Sequence, residues 1–143
     1  MKEKLLVSAC LLGTPCRYDG KSKPSEKVLS LKEKFDLVPI CPEVSGGLPI
    51  PRLPCELYNG KVLRKDGEDM TFFYEKGAQI ALQLARENNC SIAILKEKSP
   101  SCSPHLHYDG TFSGTLTPGM GITAKLLSQN GIRVLGEDET DQI

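Results

Sequence analysis

The chain has 143 residues, 39% of them apolar and 25% charged, with eighteen basic side chains against eighteen acidic ones. This length suits one domain, residues 1–143, burying roughly two thirds of its unfolded surface. The balanced charge leaves no overall field to draw it to nucleic acid or an anionic membrane. No apolar run approaches the ~20 residues of a membrane span, and Met1-Lys2-Glu3-Lys4 passes into a strand-like run without a cleavage site. The expected location is the cytoplasm.

Leu5-Leu6-Val7-Ser8-Ala9-Cys10 is a short apolar run ending in a cysteine, the pattern of a buried strand leaving its sheet. The loop from Gly13 to Lys23 follows, with Arg17-Tyr18-Asp19-Gly20 as a turn flanked by groups that can hydrogen-bond a ligand. A helix is expected from about Ser25 to Lys34, where Val28, Leu31 and Phe35 recur at helical spacing. Phe35 to Glu43 repeats the first arrangement, an apolar run ending in Cys41 and then Pro42. Val44 to Arg52, with adjacent glycines and two prolines, is a stiff irregular loop of the kind that shapes a pocket. Leu57 to Arg64 reads as a hairpin around Asn59-Gly60.

Asp66 to Thr71 supplies N-caps for the best helix, about Thr71 to Asn88, whose apolar stripe is Phe73, Gly77, Ile80, Ala81, Leu84 and Ala85. Ile92 to Leu95 is a third buried strand, followed by the polar loop that carries Ser99-Pro100-Ser101-Cys102. Gly119-Met120-Gly121 opens a last helix to about Gln129, stopped by Asn130-Gly131. A final strand, Ile132 to Leu135, precedes an acidic tail, residues 137–143, expected to be loose. Alternating strands and helices predict an α/β, Rossmann-like layered fold with a mostly parallel sheet flanked by helices.

Open parallel sheets gather their chemistry beyond the carboxyl ends of strands. If the three apolar runs are neighbours, Cys10, Cys41 and Cys102 meet at one sheet edge. Thiolates suit zinc and iron–sulfur centres. No CxxC pair is present, which tells against a structural zinc, and three ligands from separate loops leave one position open for catalysis. Cys16 is a reserve ligand, Cys90 reads as a small buried hydrophobe, and Cys55 has no assignment. Glu43, two residues past Cys41, can act as general acid or base, although loop glutamates are usually just solvated. Ser99 and Ser101 either donate to a ligand or close their own turn. His105 and His107 are candidate ligands or ordinary surface histidines. Gly121 marks a helix start that can seat a phosphate.

The motifs, taken in order, carry a resemblance. They are Ser8-Ala9-Cys10-Leu11-Leu12-Gly13 with Cys16-Arg17-Tyr18-Asp19-Gly20, then Cys41-Pro42-Glu43 with Gly46-Gly47-Leu48-Pro49 and Pro51-Arg52, then Ser99-Pro100-Ser101-Cys102 and Tyr108 to Gly114. Together they resemble a bacterial and archaeal family long labelled a domain of unknown function, which includes the thiouracil desulfidases. The match covers nearly the whole chain, with Ser103 where the family commonly has glycine and Cys55 where alanine is usual. The resemblance implies a 4Fe–4S cluster on Cys10, Cys41 and Cys102, whose fourth iron takes sulfur from a thiolated pyrimidine base or nucleotide of the thiouracil or thiouridine monophosphate type. It implies Glu43 and Ser101 as acid–base residues; Ser99, Arg17 and Gly121 are the expected substrate contacts. The rivals are a zinc centre on the same cysteines and a non-catalytic nucleotide-binding or redox-sensing module in which Cys10, Cys16 and Cys41 interchange disulfides.

Overall fold

The structure is a computed structural model that describes residues 2–143. Its elements in the first half are β1 (Glu3–Ser8), α1 (Glu26–Leu29), β2 (Phe35–Ile40), α2 (Pro42–Ser45), β3 (Cys55–Tyr58) and β4 (Lys61–Arg64). The second half holds α3 (Thr71–Glu87), β5 (Ile92–Leu95), β6 (Leu106–Tyr108), β7 (Leu116–Pro118), α4 (Ile122–Gln129) and β8 (Arg133–Gly136). Short 3-10 turns cover Ala9–Leu12, Ser30–Glu33 and Thr140–Gln142.

The predicted α/β fold is present. A four-stranded parallel sheet runs in the order β2-β1-β5-β8. The chain moves outward from β1 to β2, then returns past β1 to add β5 on the other side. Loops leaving β1 and β5 therefore diverge, and a crevice opens beyond their carboxyl ends. Both faces of such a sheet are covered, which is why Leu5, Leu6 and Val7 are all fully buried. Leu6, Ala93 and Leu95 pack on Ala81, Leu82 and Ala85 of α3 and on Ala124 and Leu127 of α4. Leu5, Val7 and Ile94 face the opposite way, toward Leu11 and Val28.

Two antiparallel hairpins, β3–β4 and β6–β7, stand outside the sheet. The first joins the start of α3 through Leu57, Val62, Met70 and Tyr74. The second lies within what the sequence suggests is an irregular loop. The helix expected from Ser25 to Lys34 is shorter and changes character at Ser30, whose hydroxyl donates to the Lys27 carbonyl and competes with the helical ladder. The tail is not loose. Arg133 Nη1 donates to the Gln142 carbonyl, Glu139 accepts from Gly136 N, and Ile143 packs on the core beside β1. An apolar last residue and a carboxylate facing backbone N–H groups outweigh the acidic composition.

α2 carries Pro42 and Glu43 and crosses α3 backbone against backbone. A Cβ on Gly77 would overlap the Pro42 carbonyl oxygen, and one on Gly46 would overlap the Phe73 carbonyl oxygen. Glycine at both points sets how deeply the Cys41-Pro42-Glu43 segment sits. Gly77→Ala is expected to lower stability by about 1–3 kcal/mol, read as a lower urea midpoint. An unchanged midpoint would show that the two helices separate without cost.

Candidate active site

A cavity of about 420 Å³ lies beyond the carboxyl ends of β1, β2 and β5, a size typical of small-molecule sites at about 300–1,000 Å³. Cys10, Cys41 and Cys102, each on the chain leaving a different strand, all line it. So do Cys16, Glu43, Ser99 and Arg17. β1 and β5 stay joined past their last paired residues, because the Ser8 hydroxyl accepts the Lys96 N–H at 3.0 Å. Cys10, Cys16 and Cys102 are buried, Cys41 is half-buried, and none is in a disulfide.

The Cys16 thiol neighbours those of Cys10 and Cys41. Its hydrogen bond with Cys10, aided by burial, raises it to about 11. Cys41 is pushed up by its contact with Cys16 and then by burial, and burial pushes Cys102 up to about 12. Thiols placed this way keep their protons at neutral pH until a metal displaces them. The Cys16 carbonyl also accepts from the Cys41 thiol, at 3.7 Å.

Glu43 stands beside Cys41 on the first turn of α2. Its Oε2 accepts from Arg52 Nε at 3.2 Å and Nη2 at 2.7 Å, and its Oε1 accepts from the Ser99 hydroxyl at 3.4 Å. Arg52 also donates to the Pro49 and Cys16 carbonyls, both at 3.1 Å. The carboxylate is therefore aimed by its partners rather than left to solvent.

The two serines divide differently from the expected assignment. Ser99 faces the cavity and its oxygen accepts the N–H groups of Ser101 and Cys102, at 3.1 and 3.0 Å, which closes the turn that carries the cysteine. Ser101 is fully buried and not part of the cavity lining; its hydroxyl pairs with that of Thr123 at 2.8 Å and lies beside the Cys102 thiol. Gly121 is also outside the cavity: a side chain there would collide with the Ser101 and Cys102 backbone. The N–H groups that open α4 go to Pro100, Ser101 and Ser103 carbonyls, so that helix start has no donors to offer a phosphate.

Neither histidine reaches the cavity. His105 meets Glu97 and Glu139, a set whose ligand atoms lie within 4.8 Å of one another. That set is a structural pin, since Glu97 Oε1 accepts the N–H groups of His105 and Leu106 and Glu139 accepts that of Gly136. His107 Nδ1 bonds the Tyr108 carbonyl at 2.7 Å. The far wall comes from β3 and the loop after β6, held together by Glu56, which accepts from Gly110 N and Phe112 N at 3.0 Å each. Sequence reasoning did not single out Arg52, Tyr74, Lys65 or Lys98, all of which line the cavity. The one available signal was Arg52 within the Pro51-Arg52 motif.

A family profile for 2-thiouracil desulfurase matches residues 5–139. The uncharacterized protein YbbK of Bacillus subtilis (strain 168) is 44% identical over 149 residues, a span covering 97% of this chain and 99% of YbbK. A solved structure of the 4Fe-4S-dependent thiouracil desulfidase TudS superposes with a TM-score of 0.93 at 43% identity, covering 99% of this chain and 95% of that one.

Removing Arg52 leaves a carboxylate and two carbonyls without their donor. Arg52→Met is expected to cost about 3–5 kcal/mol, and the added substitution Glu43→Gln should return part of that loss. Chemical denaturation of both variants checks it; simple additivity of the two single changes would show that the pair does not act as a unit.

Proposed function

The chain belongs to the 2-thiouracil desulfurase family, and on that premise we propose that it is an iron–sulfur enzyme that replaces the sulfur of a thiolated pyrimidine with oxygen. The observation that carries this reading is the convergence of Cys10, Cys41 and Cys102 on one cavity with Glu43 beside them. A single zinc ion draws its thiolates to about 3.8 Å from one another. Among the described residues only Glu97, His105 and Glu139 form a three-donor set within 4.8 Å, so the sulfurs of Cys10, Cys41 and Cys102 are not all that close together, which favours a cluster over a single zinc. Held by the thiolates of Cys10, Cys41 and Cys102, a 4Fe-4S cluster would supply a soft Lewis-acidic iron suited to a thiocarbonyl sulfur.

The chain's own residues supply the rest. Water provides the oxygen, the carbon–sulfur bond breaks, and both protons of the water depart with sulfur as hydrogen sulfide. No electrons are gained or lost. Glu43 takes the proton of the attacking water, and Arg52 holds the carboxylate in place on its other oxygen. Ser99, through its long 3.4 Å contact to Glu43, is free to turn its hydroxyl to water or substrate, while the fully buried Ser101 hydroxyl lies beside the Cys102 thiol and bears on that cysteine. Arg17, Lys65 and Lys98 line the cavity and have no carboxylate partner among the described residues. They support a nucleotide whose phosphate they would neutralise.

Cys10→Ala, Cys41→Ala and Cys102→Ala should each abolish cluster assembly, while Cys90→Ala, far from the cavity in the core under α3, should load normally. Anaerobic iron and acid-labile sulfide assays decide, and full iron in any of the first three removes that cysteine from the ligand set.

Glu43→Gln should keep the cluster's spectrum and lose turnover by roughly a hundredfold or more. Sulfide release is measured anaerobically from 2-thiouracil and 4-thiouridine monophosphate, and a lower KM for the nucleotide is expected if the three cations engage its phosphate. Wild-type turnover by the variant would make Glu43 a bystander.

A further inference from the structure

Tyr74, on the first turns of α3, is 1% exposed and is among the largest fully buried side chains. Its ring packs with Leu57, Val62 and Met70, while the residue also lines the cavity. A buried phenol ordinarily finds a hydrogen-bond acceptor. Among the described residues this one has no oxygen or nitrogen partner; the polar group beside it is the Cys55 thiol, a weak acceptor. The nearby Glu43 carboxylate is already taken by Arg52 and Ser99. Burial pushes the Tyr74 ionisation strongly upward, with Glu43 adding to it, so the hydroxyl keeps its hydrogen at any working pH.

We propose that the Tyr74 hydroxyl is the specificity determinant of this cavity, donating to the exocyclic oxygen that a pyrimidine substrate retains and so selecting oxo- over amino-pyrimidines. The inference rests on the desulfidase reading of the same site. Its logic is that Cys41, Cys102, Glu43 and Tyr74 line one cavity, with the Glu43 charge felt at both cysteines and at Tyr74. A ring held with its sulfur at the cysteines and its reacting carbon by Glu43 would keep its second exocyclic group in the same cavity as the Tyr74 hydroxyl. A phenol oxygen shares its lone pair with the ring and is a better donor than acceptor. A carbonyl there completes a bond that the protein leaves unmade, and an amino group does not.

The test is Tyr74→Phe, which removes one oxygen and keeps the ring in its cluster. Iron content and spectrum should equal wild type. With 2-thiouracil, kcat/KM should fall about tenfold or more, chiefly through KM, while 2-thiocytosine changes little, so the preference narrows. Uracil titrated into the cluster-loaded protein by calorimetry should bind the variant about tenfold more weakly, with cytosine unaffected. An unchanged thiouracil-to-thiocytosine ratio, with unchanged uracil binding, overturns the role of Tyr74 and leaves the desulfidase reading intact. Wild-type protein that releases no sulfide yet binds uracil through Tyr74 overturns the desulfidase reading and leaves this inference standing. If it neither turns over nor binds uracil, both fall.

Discussion

A buried guanidinium holds this site together. The Arg52 side chain is 6% exposed and its Glu43 partner 14%, and taking two such charges out of water costs several kcal/mol each before their attraction offsets it. The arrangement persists because nearly every donor is matched: two bonds go to Glu43, one to the Pro49 carbonyl and one to the Cys16 carbonyl. Arg52 N in turn donates to the Tyr18 carbonyl at 2.8 Å. One residue thus ties the loop after β1, the first turn of α2 and the proline-rich loop into a single wall. A carboxylate fixed in this way costs no reorganisation when charge moves in the reaction.

The opposite wall is built by a similar economy of backbone groups. A helix start leaves N–H groups without partners, and a tight loop leaves carbonyls in the same state. In α4 and residues 100–103 each satisfies the other, with Gly121 allowing the two backbones to touch. Cys102 is therefore carried on a turn closed by Ser99 from one side and by a helix from the other. The same pairing removes the phosphate seat that the glycines before α4 suggest, which leaves Arg17, Lys65 and Lys98 of the cavity lining as the groups suited to an anion.

How much of this was legible in the sequence differs by kind of feature. Buried parallel strands read as apolar, β-branched runs, so β1, β2 and β5 were visible, and with them the strand-end cysteines that parallel topology must bring together. Burial of a charge leaves no such trace, because Arg52 is hidden by segments far from it in sequence. Tyr74 stands outside the apolar stripe expected for α3, so nothing in the helical pattern marks it as buried. Ser99 and Ser101 are equivalent by spacing, and only the turn between them decides which hydroxyl faces the cavity and which meets Thr123. The tail misled for a simpler reason: acidic composition says nothing about a single isoleucine at its end.

Cys16 and Cys55 are the other thiols on the cavity, and Cys16 lies next to two of the proposed ligands. The Cys16 thiol hydrogen-bonds that of Cys10, and its carbonyl accepts from both Arg52 and the Cys41 thiol. It also shares a loop with Cys10 and adds no new element to the site. Cys10, Cys41 and Cys102 instead follow three different strands, β1, β2 and β5. A group bound to all three joins the chain across the point where the strand order reverses, at the edge where the strand ladders have ended. Its binding energy adds to the stability of the fold by mass action, and it does so where the sheet itself has no further hydrogen bonds to offer.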